Sequence, residues 1–178
     1  MAADGMSYWR TSIAQVVSNE TEEEILIRGR KLSDLVGSVT FAEMMFLLLT
    51  GREATKSQAR VLDALLVASI EHGIAPPSMI ARCYASYGTS IQAAMAGGIM
   101  AFGDTMGGAG EQLAKLLSEA VANVDGDPPD EVFQRLAKEI VAREGRVPGY
   151  GIPLHGADPR APKILEIARE EGCFGSHS

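Results

Sequence analysis

Four short segments carry residues able to do chemistry. His72-Gly73 follows the apolar stretch that begins at Val61, and an imidazole there could donate a hydrogen bond to polarise a carbonyl. The bland alternative is a histidine favoured by the negative end of a helix dipole. Gly103-Asp104-Thr105-Met106-Gly107-Gly108-Ala109 holds too many glycines for a helix interior and so joins two helices. It is no P-loop, because no strand precedes it and no Gly-Lys-Ser/Thr follows. Met106 alternatively reads as a core gap-filler. Val147-Pro148-Gly149-Tyr150-Gly151 makes a stiff, tightly turned loop whose exposed N–H groups suit an anion or an adenine edge. Arg160, in Asp158-Pro159-Arg160, offers a planar fork that matches a carboxylate; taken alone it reads as a solvated arginine at a helix start.

Helices must position these segments. Lys31–Val36 reads as one short helix stopped by Gly37. Thr40 with Glu43 forms a capping box ahead of an apolar run that Gly51 ends, and Thr55 with Gln58 forms a second. The second opens a helix with Val61, Leu62, Leu65, Leu66 and Ser69 on one face, expected to end at His72-Gly73. Pro76 and Pro77 suit the first turn of a helix running to Gly88. Thr89 or Ser90 caps the next, Ile91–Phe102, whose Ala93, Ala94, Ala96, Gly97 and Gly98 permit close backbone approach. That approach is met either inside one subunit or at a dimer contact over Ala93–Ile99. Gly110–Val124, Pro129–Arg143 and Ala161–Arg169 complete the series, with Val132, Phe133, Leu136, Ile140 and Val141 expected inward. The single β-like patch of note is Ile25–Gly29, which excludes a βαβ sheet and leaves an all-α domain. Residues 1–24 form a polar N-terminal segment and 25–178 the helical domain.

Composition narrows the functions. The 178 residues suffice for a buried core. A net charge of −7 with no basic cluster argues against a nucleic-acid surface. An anionic ligand would need a local basic spot, for which Arg82, Arg143, Arg146 and Arg160 are the candidates. The two cysteines, Cys83 and Cys173, read as free thiols in a reducing cytosol, with Cys83 buried. No signal peptide is evident, and no apolar stretch is long enough to span a bilayer, so a cytoplasmic protein is expected.

The order, spacing and wording of these segments, over Tyr8 to Gly172, resemble the citrate synthase superfamily, including its citryl-CoA lyase branch. The resemblance implies a carbon–carbon bond made or broken beside a CoA thioester. The partners it implies are acyl-CoA, with citrate, oxaloacetate or a related oxo acid, in a homodimer without a metal. It implies that His72, in Glu71-His72-Gly73, binds the oxo-acid or citryl group and that Arg160 binds its carboxylate. It further implies that Gly107 and Gly108 meet substrate and that Val147, Pro148, Gly149, Tyr150 and Gly151 lie beside CoA.

Two positions depart from the family pattern. Synthases carry Gly-x-x-His-Gly-Gly-Ala, whose histidine protonates the thioester carbonyl, where this chain has Met106. A thioether donates neither hydrogen bond nor proton. The citryl-CoA lyase module of ATP-citrate lyase reads Gly-Asp-Arg-Phe-Gly-Gly-Ala there, which this chain resembles more. The family also places a histidine directly after the second loop glycine, where Ile152 stands; His155 is the substitute candidate three residues on. No residue matches the family's aspartate base. The expectation is a citryl-CoA lyase or citrate-synthase-type acyltransferase, catalytically incomplete as the chain stands. The alternatives are a non-catalytic CoA-ester-binding or regulatory homologue, and a fragment of a longer lyase.

Overall fold

The computed structural model describes residues 11–71, 73–104, 107–122, 129–150 and 156–173. These fall into two compact units, one of residues up to Ala68 with Glu166–Cys173, the other Ser69–Leu165.

The first unit opens with an antiparallel sheet of order β1-β2-β3: β1 (Ala14–Ser18), β2 (Glu23–Ile27) and β3 (Arg30–Lys31). The expected patch at Ile25–Gly29 is thus β2 and the turn that follows. Arg28 and Gly29 both take positive φ, 49° and 79°, as a two-residue turn matched to strand twist demands. Arg28 is the unusual residue there, and its Nη2 donates to the Leu48 carbonyl at 2.7 Å. Strand β1 lacks an alternating apolar signal, and only its pairing with β2, Ala14 opposite Ile27 through Ser18 opposite Glu23, makes it a strand.

Helices α1 (Leu32–Leu35), α2 (Phe41–Thr50) and most of α3 (Lys56–Ser69) follow. Both capping boxes form. Thr40 Oγ1 accepts the Glu43 N–H at 3.2 Å while Glu43 accepts the Thr40 N–H at 2.6 Å. Thr55 and Gln58 do the same at 3.2 and 3.0 Å. Gly51 ends α2 at φ 75°, the left-handed C-terminal cap. Leu35, Ala42, Leu47, Ala59 and Ala168 are buried in this unit, and Arg60 pairs with Glu171 at 3.1 Å.

The second unit holds α4 (Pro76–Ser86), α5 (Ile91–Met100), α6 (Ala109–Val121), α7 (Asp130–Glu144) and the start of α8 (Arg160–Glu170). Helices α4 and α5 pack closest. A Cβ on Gly98 would lie 2.9 Å from the Pro77 carbonyl oxygen, and one on Gly97 would lie 2.6 Å from the Tyr84 ring. The small-residue face of α5 is therefore used within the chain. Its stripe Ile91, Met95 and Ile99 is exposed.

Three expectations are corrected. Helix α3 ends at Ser69, not at His72-Gly73, because the chain turns: the Glu71 carboxylate accepts the Gly73 N–H at 2.6 Å and Gly73 takes φ 64°. Cys83 is exposed, not buried, because α4 turns Pro77, Ala81 and Tyr84 toward α5 and carries Cys83 on another face. Val141 is 47% exposed, although Ile140 beside it is buried.

Candidate active site

The second unit contains a cleft of about 850 Å³ in which three of the chemically suggestive segments meet. Glu71 and Gly73 bring the turn after α3. Gly107 brings the glycine-rich turn. Arg160 brings the start of α8. Ile70, Met95, Ile99 and Phe102 make the rest of its wall largely apolar, with Ser69 and Ser78 adding hydroxyls.

Each wall has a local cause. The α3–α4 turn is closed by Glu71 and by Ser78, whose Oγ accepts the Ala75 N–H at 3.0 Å and donates to the Gly73 carbonyl at 3.0 Å. The glycine-rich turn closes on itself, with the Gly108 N–H donated to the Gly103 carbonyl at 3.0 Å. Gln112 Nε2 ties it down by donating to the Asp104 carbonyl at 2.9 Å. Gly107 takes φ 101°, and a Cβ there would stand 2.5 Å from the Phe102 ring. A side chain is doubly excluded, by conformation and by space.

Arg160 is gripped by Asp158. Its Nε and Nη2 donate to the two carboxylate oxygens at 2.9 and 2.6 Å. That ion pair holds the guanidinium above its ordinary pKa, chiefly through the hydrogen bond and then through charge. Among the described residues the cleft wall is thus mostly apolar, with one cation, Arg160, and one carboxylate, Glu71, and Arg160 is where an anionic group of an organic substrate could bind.

The Val147–Gly151 loop lies elsewhere in this unit. Arg146, Val147 and Tyr150 line a second cleft of about 610 Å³, whose walls are apolar side chains of α6 and α7. The Tyr150 N–H closes a turn onto the Val147 carbonyl at 3.2 Å, with Gly149 at φ 79°. A Cβ on Gly149 would lie 3.5 Å from the Ala109 carbonyl oxygen, so the loop sits on the first turn of α6, directly after Gly107. Gly107 of the first cleft and the loop of the second thus flank the start of α6. Of the candidate basic residues, Arg143 pairs with Glu144 at 2.8 Å and Arg82 is exposed. Sequence reasoning missed the part α6 and α7 play in this second cleft, although the amphipathic spacing of Leu113, Leu116 and Leu117 signalled an apolar face. His72, Met106, Gly151, Ile152 and His155 lie outside the described residues.

The same three segments converge on one cleft in the order the sequence places them, and a family model for the citrate synthase C-terminal domain matches residues 49–173. The chain belongs to the citrate synthase family. A solved citryl-CoA lyase from Hydrogenobacter thermophilus has the same fold, with a TM-score of 0.80 and 36% identity over 96% of this chain and 63% of that one. The citrate synthase of Heyndrickxia coagulans is 28% identical over 142 residues, which is 78% of this chain. This chain spans 35% of that relative's length. An ATP citrate lyase from Methanosaeta concilii, solved in complex with (3S)-citryl-CoA, shares the fold at a TM-score of 0.72 and 20% identity, over 93% of this chain and 27% of that one. The described residues are mostly helical, with one small three-stranded sheet. No described helix is long and apolar enough to cross a membrane.

Proposed function

We propose that this chain carries the substrate-binding part of a citryl-CoA lyase-type site, acting on the carbon–carbon bond beside a CoA thioester. The observation that supports it is the meeting of Glu71, Gly73, Gly107 and Arg160 in one mostly apolar cleft. Arg160 binds a carboxylate of the citryl group through charge-assisted hydrogen bonds. His72 polarises the carbonyl that forms as the bond breaks, and His155 is the candidate second donor. Gly107 and Gly108 let the substrate approach the backbone. CoA lies against Val147, Pro148, Gly149, Tyr150 and Gly151, with Arg146 at its phosphates.

In cleavage, the citryl hydroxyl loses its proton as its carbon becomes the oxaloacetate carbonyl. The electron pair of the broken bond passes into the thioester enolate, which takes a proton to give acetyl-CoA. A base must accept the first proton, and no described residue is assigned that task. The Glu71 oxygen that accepts the Gly73 N–H is committed to the turn. Both directions pass through this enolate, so a proton donor at the thioester carbonyl, worth about a hundredfold to ten-thousandfold, would serve either, and Met106 cannot supply it. Cleavage is preferred as the chain's chemistry because the Gly103–Ala109 wording resembles the lyase module, which also lacks a histidine at that turn.

A second reading is supported by Met106 and Ile152, which stand where synthases have histidines. It makes the chain a CoA-ester-binding homologue without turnover. We also propose a homodimer through α5 at its exposed Ile91, since Gly97 and Gly98 already serve α4 and Met95 and Ile99 line the cleft.

The test is the purified chain given citryl-CoA, with oxaloacetate release followed by a coupled NADH assay. Expected is cleavage exceeding citrate formation, abolished by His72→Ala and by Arg160→Ala. CoA binding without cleavage would select the second reading. Robust synthase activity, or cleavage indifferent to both substitutions, would overturn the proposal.

A further inference from the structure

Asp158-Pro159-Arg160 is more than an arginine with neighbours. Asp158 Oδ1 accepts two hydrogen bonds from the same residue, the Arg160 backbone N–H at 2.9 Å and the Arg160 Nε–H at 2.9 Å. Oδ2 accepts Nη2–H at 2.6 Å. One carboxylate thus satisfies the first backbone donor of α8 and clamps the guanidinium at that helix start. Pro159 between them has a fixed φ and stiffens the link. The carboxylate is anchored to the backbone, so it does not drift with the arginine side chain.

A pair of this kind, with side chains 27% and 35% exposed, contributes little to stability. Its effect is on geometry. An arginine loses much rotamer freedom when it binds an anion, and a fork already held in place loses less. Asp158 accepts the Nε–H and one Nη2–H of the guanidinium.

We propose that Asp158 is a positioning residue: its grip on Nε and Nη2 holds the Arg160 fork ready for the substrate carboxylate in the cleft. This rests on the proposed role of Arg160. It makes a prediction opposite to simple charge repulsion. A carboxylate beside an anion site should weaken anion binding, so its neutralisation should tighten binding; positioning requires the reverse.

Asp158→Asn separates the two duties. Asparagine caps a helix start about as well as aspartate, so its oxygen can still take the Arg160 backbone N–H. Its amide nitrogen is a donor and cannot accept from Nη2. Citrate binding is measured by titration calorimetry on wild type, Asp158→Asn, Asp158→Ala and Arg160→Ala, with melting temperatures alongside. Solvent exchange of the Arg160 Nε–H is followed by NMR in wild type and Asp158→Ala.

Expected is a melting temperature near wild type for Asp158→Asn, with citrate bound about tenfold more weakly. Asp158→Ala should lose affinity and also melt lower, and Arg160→Ala should bind no citrate. The Nε–H should exchange slowly in wild type and fast in Asp158→Ala. Citrate bound as tightly or more tightly by Asp158→Asn, with Arg160→Ala inactive in binding, overturns the role of Asp158 alone. Equal Nε–H exchange in wild type and Asp158→Ala overturns the clamp itself. Wild type that binds no citrate, or Arg160→Ala that binds it normally, overturns the reading of the cleft instead.

Discussion

Gly98 of α5 lies under the carbonyl of Pro77 in α4, so near that a methyl carbon on Gly98 would sit 2.9 Å from that oxygen and 3.2 Å from the Ala81 Cβ. A backbone carbonyl cannot step aside as a side chain can. Gly97 beside it faces the Tyr84 ring, and Tyr84 is 50% exposed, with room to swing outward.

Two glycines in sequence therefore have different costs of substitution. Gly98→Ala should destabilise the protein by about 1–3 kcal/mol through overpacking. Gly97→Ala should cost less, because the helix-propensity gain of about 1 kcal/mol offsets the displaced ring. Urea unfolding of the two variants checks this. Equal losses would mean that Tyr84 is as immovable as the Pro77 carbonyl.

The start of α2 should respond to pH. Glu43 accepts the Thr40 N–H, and those hydrogen bonds hold its carboxyl below the usual glutamate value. A depressed folded pKa stabilises the fold above the unfolded pKa, and the gain is lost as pH falls through the folded value. The melting-temperature gap between wild type and Glu43→Gln should thus be open at neutral pH and close in acid. Thr40→Ala, which removes the acceptor for the Glu43 N–H, should cost about 1 kcal/mol.

The exposed Cys83 should react first with thiol reagents. Cys173 is only partly exposed, and its Sγ lies 3.8 Å from the Glu171 carbonyl. In the folded protein, mass mapping after brief alkylation should find Cys83 modified and Cys173 largely spared. Preferential labelling of Cys173 would contradict the packing of α4.

CoA should raise the melting temperature by mass action, with about 2.7 kcal/mol added at a hundredfold excess over its Kd. Arg146→Ala and Tyr150→Ala should shrink that shift, since both side chains line the α6–α7 cleft. No shift in wild type at saturating CoA would remove the loop from the CoA site.

Much of the helical order was legible because its signals are local. Thr40 with Glu43, Thr55 with Gln58, Pro76 and Gly51 each cap or start a helix through bonds within a few residues, and each does so in the structure. The glycine turn and the Asp-Pro-Arg segment were legible for the same reason. Strand β1 was not, because its partner lies across a turn and its own residues do not alternate cleanly. The end of α3 was misjudged because the apolar period runs on into Ile70, while the Glu71–Gly73 bond turns the chain earlier.

The sequence by itself determined the helical class, the family and the residue types brought to the site, since these depend on chain order and short-range bonding. Tertiary structure alone decided three further matters. It put Gly73, Gly107 and Arg160 in one cleft, and Val147 and Tyr150 in another against α6 and α7. It spent the glycine face of α5 on α4, leaving Ile91, Met95 and Ile99 outward. It exposed Cys83. Each depends on which face of a helix meets which neighbour, and a helix's own periodicity says that a face exists without saying what will cover it.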